Sequence, residues 1–131
     1  MTYRELYQSA LRMVSESDGE GLHADYEERA GYLLAAFCNE CASIEKRYCE
    51  ANDLTRAGFS PQSVIALDDR FPLQDAFVPA AIYYLSAMLV IDENEDLSDR
   101  FFELYTDSIS TIQAGIPCVK HRIVNEYSNL I

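Results

Sequence analysis

Basic side chains are scarce in this chain of 131 residues: ten Lys and Arg stand against twenty-two Asp and Glu, for a formal net charge of -12. Proteins that grip a phosphate backbone do so with clustered Lys and Arg. Direct contact with nucleic acid is therefore not expected, and the same charge disfavours anionic membrane surfaces. No apolar run reaches the roughly 20 residues that a bilayer-spanning helix needs. The opening Met1-Thr2-Tyr3-Arg4-Glu5 lacks the apolar segment of a signal peptide. The expectation is a protein made and kept in the cytoplasm, without a membrane partner. Glycine-rich phosphate loops, internal repeats and low-complexity segments are missing as well.

Candidate catalytic groups are equally sparse. His23 falls in a loop and His121 in the C-terminal segment, and no Ser or Cys lies in a context that suggests activation by either. Adjacent carboxylates such as Glu27/Glu28 and Asp68/Asp69 arise from an acid-rich composition. Neither enzymatic activity nor a cofactor is expected.

Four cysteines outside the secretory route read as reduced thiols packed like small apolar side chains. On paper Cys38, Cys41, Cys118 and His121 offer a Cys3His zinc set, through a C-x-x-C and a C-x-x-H. The first pair sits in mid-helix on an apolar stripe, so core thiols are expected and no metal. A thioredoxin-like role needs its first Cys at a helix N-terminus, whereas roughly four turns precede Cys38. Asp92, Asn94, Asp96 and Glu103 match four positions of a calcium-binding EF-hand loop. Leu97 occupies the place that requires glycine, and the segment from there on reads as helical, so these are expected to be ordinary hairpin acids.

What the chain does have is apolar content, 49% with nine Tyr and six Phe, enough for one compact domain without disulfide or metal support. Its centre is the stretch from Ala76 to Ile91, which carries no charge and predicts a core helix with Asp75 as N-cap and Pro79 in the first turn. Thr2 and Glu5 form a T-x-x-E capping box ahead of a first helix to about Ser17, striped by Tyr3, Leu6, Ala10, Met13 and Val14. A second helix starts near His23 to Asp25 and carries Tyr26, Ala30, Leu33, Phe37, Cys41, Ile44 and Tyr48, with Lys46 and Arg47 in its last turns. A fourth runs from about Leu97 to Ala114, capped by Asp96, with Leu97, Phe101, Leu104, Tyr105, Ile109 and Ile112 inward. Tyr83, Tyr84 and Tyr105 read as core.

Between the second and third helices the run from Ala51 to Leu73 is long and punctuated by Gly58, Pro61 and Pro72. Connections of this length are usually functional, disordered or ordered surface loops. Its apolar run Ser63-Val64-Ile65-Ala66-Leu67 is expected to lie extended across the helices. The segment from Ile116 to Ile131 reads as an extended or partly disordered apolar tail, in which Tyr127 must find its pocket elsewhere. The fold class expected is all-α: a small four-helix bundle over 1–115, with a long loop between helices 2 and 3 and an extended C-terminal tail over 116–131.

The stretch from Asp25 to Ala35 (DYEERAGYLLA), the stretch from Leu67 to Leu73 (LDDRFPL) with the following Tyr83-Tyr84-Leu85-Ser86-Ala87 helix, and the terminal Ile123-Val124-Asn125-Glu126-Tyr127 resemble small head-tail connector (adaptor, or head-completion) proteins of tailed phages and prophages. The resemblance implies a non-enzymatic helical protein that assembles as a ring beneath the portal, with portal and tail or stopper proteins as partners. It would be found in the host cytoplasm during assembly and then at the head-tail junction of the virion. Through the loop and the tail, it implies partner-binding roles for Val64, Ile65, Leu67, Asp68, Asp69, Val119, Ile123, Val124 and Tyr127. The alternative is a non-enzymatic helical interaction or regulatory module of the host, with a zinc-stabilised variant through the cysteines.

Overall fold

The computed structural model describes residues 1–15, 24–56, 60–61 and 63–116. Four α-helices account for most of them: α1 (Tyr3–Ser15), α2 (Ala24–Asn52), α3 (Val78–Val90) and α4 (Glu95–Ala114). The class is all-α, as the periodicity predicts. Among the described residues the only β-type pairing is an isolated antiparallel bridge between Thr2 and Arg70.

The capping box at the head of α1 is made in both directions. Thr2 Oγ1 accepts from the Glu5 N–H at 3.2 Å, and Glu5 Oε1 accepts from the Thr2 N–H at 3.3 Å. Tyr3, Leu6, Tyr7 and Ala10 are buried. Met13, expected on that stripe, is exposed; ten residues of helix rotate it about 80° away from Tyr3.

α2 buries Tyr26, Ala30, Phe37 and Cys41 as expected, and Leu34, Cys38 and Cys49 beside them. It extends past Tyr48 to Asn52, which places Lys46 and Arg47 short of its last turn. The end is set by Asp53 in the left-handed region (φ 54°) and by the Leu54 N–H returning to the Cys49 carbonyl at 2.9 Å.

α3 is the centre of the molecule, packed against each of the other helices. Its start differs from the expectation. Asp75 lies inside a short 3₁₀ turn (Asp75–Phe77), and α3 itself begins at Val78 with Pro79 in its first turn and no side-chain cap. Proline's missing N–H at this position leaves one fewer donor to satisfy.

α4 begins two residues before the predicted start. Asn94, not Asp96, is its N-cap, with Oδ1 accepting from the Leu97 N–H at 3.1 Å. The α3–α4 hairpin closes on small residues: buried Ser98 donates to the Ala87 carbonyl at 2.9 Å. Phe101 and Ile112 face inward, while Leu104, predicted inward, is exposed. Ile116 is buried, so the packed unit includes the first residue assigned to the tail. Val119, Ile123, Val124 and Tyr127 lie outside the described residues.

Candidate functional site: the long connection and its anchors

The connection from Asp53 to Gln74 is held to the helices at separate points along its length. The first is the end of α2. Glu45 stands on the buried face of that helix, 1% exposed, and Arg56 reaches back to it with Nε 2.6 Å from Oε1. The Cys49 thiol donates to the other carboxylate oxygen at 3.3 Å, and the Arg56 guanidinium also donates to the Ala42 carbonyl at 3.4 Å. A carboxylate taken out of water needs such partners, because removing them leaves a buried charge.

The second anchor lies over Gly31. The Ile65 N–H donates to the Gly31 carbonyl at 3.3 Å, and the Ile65 carbonyl oxygen comes within 3.0 Å of where a Cβ on Gly31 would stand. A Cβ there would sit closer than nine in ten real Cβ contacts, so a side chain at this position would need the Ile65 backbone to give by a few tenths of an ångström.

The third anchor is the head of α1. Arg4 and Tyr3 give their backbone N–H groups to the carbonyls of Leu67 (2.8 Å) and Asp69 (3.1 Å), and the Phe71 N–H donates to the Met1 carbonyl at 2.9 Å. The Tyr3 and Arg4 donors belong to the first turn of α1, whose N–H groups have no partner within the helix, while at Phe71 the connection is the donor. The Arg4 guanidinium then bridges Asp68 (2.8 Å) and Glu27 (3.0 Å), tying α1, α2 and the connection together.

Against these anchors the predicted partner-binding residues separate. Val64 is 46% exposed, Ile65 half-buried, and Asp68 and Asp69 exposed. Leu67 is a correction: at 8% exposed it belongs to the core with Phe71 and Leu73, and its side chain is not presented to a partner. The run from Val64 to Leu67 does lie across the helices, in irregular conformation.

The three described thiols are core residues, while Cys118 and His121 lie outside the described residues. Cys38, Cys41 and Cys49 are buried and unpaired by disulfides, and Cys38 Sγ is 3.8 Å from the Tyr3 hydroxyl. Burial pushes the Cys38 thiol up to about 11 and the Cys41 thiol up to about 12, the latter helped by Glu40. Thiols held in that range carry almost no thiolate at neutral pH and are poor nucleophiles and metal ligands. Among the described residues no group of three or more His, Cys, Asp or Glu is placed to hold a metal ion. The EF-hand match fails on backbone grounds, since Asp96 and Glu103 are both within α4. Phe37 is the hub of the aromatic core, with ring centroids 5.7 Å from Tyr84, 6.1 Å from Tyr105 and 6.4 Å from Phe71. No helix among the described residues is long and apolar enough to cross a membrane.

Four anchoring residues, Gly31, Glu45, Arg4 and Arg56, escaped the sequence reading. Gly31 carried a signal, a glycine in mid-helix on an otherwise strong pattern. Glu45 carried another, a charge four residues after Cys41 on the buried stripe. Arg4 and Arg56 carried none. No protein-family model, no curated protein and no solved structure matches this chain.

Proposed function

We propose that this chain is a structural head-tail connector of a tailed phage or prophage, joining the portal of the head to the tail as one subunit of a ring. The carrying observation is that the two stretches resembling connector proteins, Asp25 to Ala35 and Leu67 to Leu73, meet in space. Arg4 bridges Glu27 of the first and Asp68 of the second, and Gly31 receives the backbone just before the second. Resemblances far apart in sequence thus fall on one surface, which presents Val64, Asp68 and Asp69 outward.

An acidic, apolar-tipped surface on a rigid helical scaffold suits docking on a protein with a basic, partly apolar face, where charge steers the encounter and fixes its register. Portal and tail or stopper proteins are the partners this reading names, with assembly in the host cytoplasm and residence at the head-tail junction. The zinc-stabilised alternative gains no support from Cys38 and Cys41, whose side chains are enclosed in the core.

Co-expression with a portal protein from the same genome, followed by negative-stain imaging, tests the proposal. Portals carrying an added ring of density are expected. Bare portals beside free small particles would overturn it.

A further inference from the structure

α2 runs for 29 residues, about 43 Å at 1.5 Å per residue, and one side of it stays exposed from end to end. In the middle of that side are Tyr32, Ala36, Asn39 and Ser43, all exposed and within about 60° of arc at 100° per residue. Tyr32 is 54% exposed, the highest value among the described large apolar side chains. A tyrosine ring standing in water beside small side chains has the form of an interface anchor, a role in which Tyr is enriched.

The two ends of the same face carry opposite charge. Asp25 and Glu28 are exposed towards its start, Lys46 and Arg47 towards its end. None of the four has an ion-pair partner among the described residues. In a chain with ten basic against twenty-two acidic residues, this adjacent basic pair reverses the overall charge locally.

Turned end for end, the face complements itself. Let a second copy of α2 lie antiparallel, with a two-fold axis midway between Ala36 and Asn39. Tyr32 then comes level with Ser43 of the second copy, Ala36 with Asn39, and Glu28 with Arg47, Lys46 standing one residue further on. The small side chains of Ala36 and Ser43 leave room for the ring. Asp25 comes level with Glu50, a like-charged pair at the outer edge, where salt screens it. A parallel pairing would set Asp25 and Glu28 against their own copies, so the charges select the antiparallel one.

We propose that this face of α2 is a self-association surface, on which two copies of the chain pair antiparallel with the acidic start of each helix against Lys46 and Arg47 of the other. Such a contact uses the same patch on both copies and closes as a dimer, whereas a ring needs a head-to-tail contact. The inference therefore stands apart from the connector reading.

The test is sedimentation of the full chain over a concentration series at low salt, with two charge-reversed variants. One is Lys46→Glu with Arg47→Glu, the other Asp25→Lys with Glu28→Lys; all four positions are exposed, so both variants fold. The unaltered chain is expected to dimerise. Each variant alone, with every cross-helix attraction turned to repulsion twice over by the two-fold, is expected to associate at least about tenfold more weakly. Mixed in equal amounts, the two variants are expected to pair with each other at least as tightly as the unaltered chain pairs with itself. Tyr32→Ser should weaken the dimer by about tenfold as well. An unaltered chain that stays monomeric at about 1 mM, where even a contact worth only about 4 kcal/mol is populated, would overturn the proposal. So would variants that self-associate like the unaltered chain, or a mixture no tighter than either variant alone.

Discussion

The carbonyl oxygen of Ile65 lies 3.0 Å from the point where a Cβ on Gly31 would stand, and the Ile65 N–H donates to the Gly31 carbonyl at 3.3 Å. The long connection is thus seated on α2 through a contact that a Cβ at Gly31 would crowd. Elsewhere in a helix, Gly to Ala would stabilise by about 1 kcal/mol through propensity. Here the added methyl meets backbone rather than a flexible side-chain end. Gly31→Ala is expected to destabilise by about 1 kcal/mol net of that gain, and Gly31→Val by more. Urea denaturation measures both, and faster exchange of the Ile65 amide would locate the damage.

Arg56 neutralises Glu45 at 2.6 Å, where the carboxylate is almost wholly removed from water. Arg56→Ala is expected to cost about 2 kcal/mol, less than a fully buried pair because the guanidinium is partly exposed. Glu45→Gln in the same chain should recover much of the loss, since the uncharged amide no longer requires a cation. A double-mutant cycle that gave additive losses would contradict the pairing.

Alkaline pH should weaken the fold. Burial raises the Cys38 and Cys41 thiols to about 11 and 12 from the ordinary 9.0, and it raises Tyr26 from 10.0, with a further push from the hydrogen bond to Glu93. In each case the neutral form is favoured by folding. The stabilisation is complete below the unfolded value and is lost as pH climbs towards the folded one. Stability is therefore flat with respect to these groups up to about pH 9 and falls between about 9 and 12. At pH 8 a thiol reagent should label Cys38 and Cys41 only as fast as the chain opens. Immediate labelling of both would contradict their place in the core.

The start of α4 gives a sharp comparison. Asn94→Ala removes the side chain that accepts from the Leu97 N–H and should cost about 1 kcal/mol, whereas Asp96→Ala, inside the first turn, should cost only a few tenths. The reverse order would restore the cap expected from sequence.

Helix existence was legible because the apolar periodicity of α1, α2 and α4 and the uncharged run of α3 are long-range patterns that packing must satisfy. Helix ends were less so. Asp75 and Asp96 both have capping chemistry, yet α3 starts after a 3₁₀ turn with no side-chain cap, and α4 starts on Asn94, a neighbouring residue equally able to cap. Of the residues expected to meet a partner, Val64, Ile65, Asp68 and Asp69 lie on or near the surface. Leu67 does not, because alternation along an irregular loop does not say which side chain turns inward. The anchors Arg4 and Arg56 were invisible for a related reason: their partners lie across a tertiary contact that no spacing along the chain encodes.

The most direct measurement for the connector reading is the mass of the purified protein by light scattering after size exclusion, alone and mixed with a portal protein from the same genome. The reading predicts a species that joins the portal in multiple copies, and an acidic surface that makes the association sensitive to salt. A protein that elutes unchanged beside the portal at low salt would contradict it.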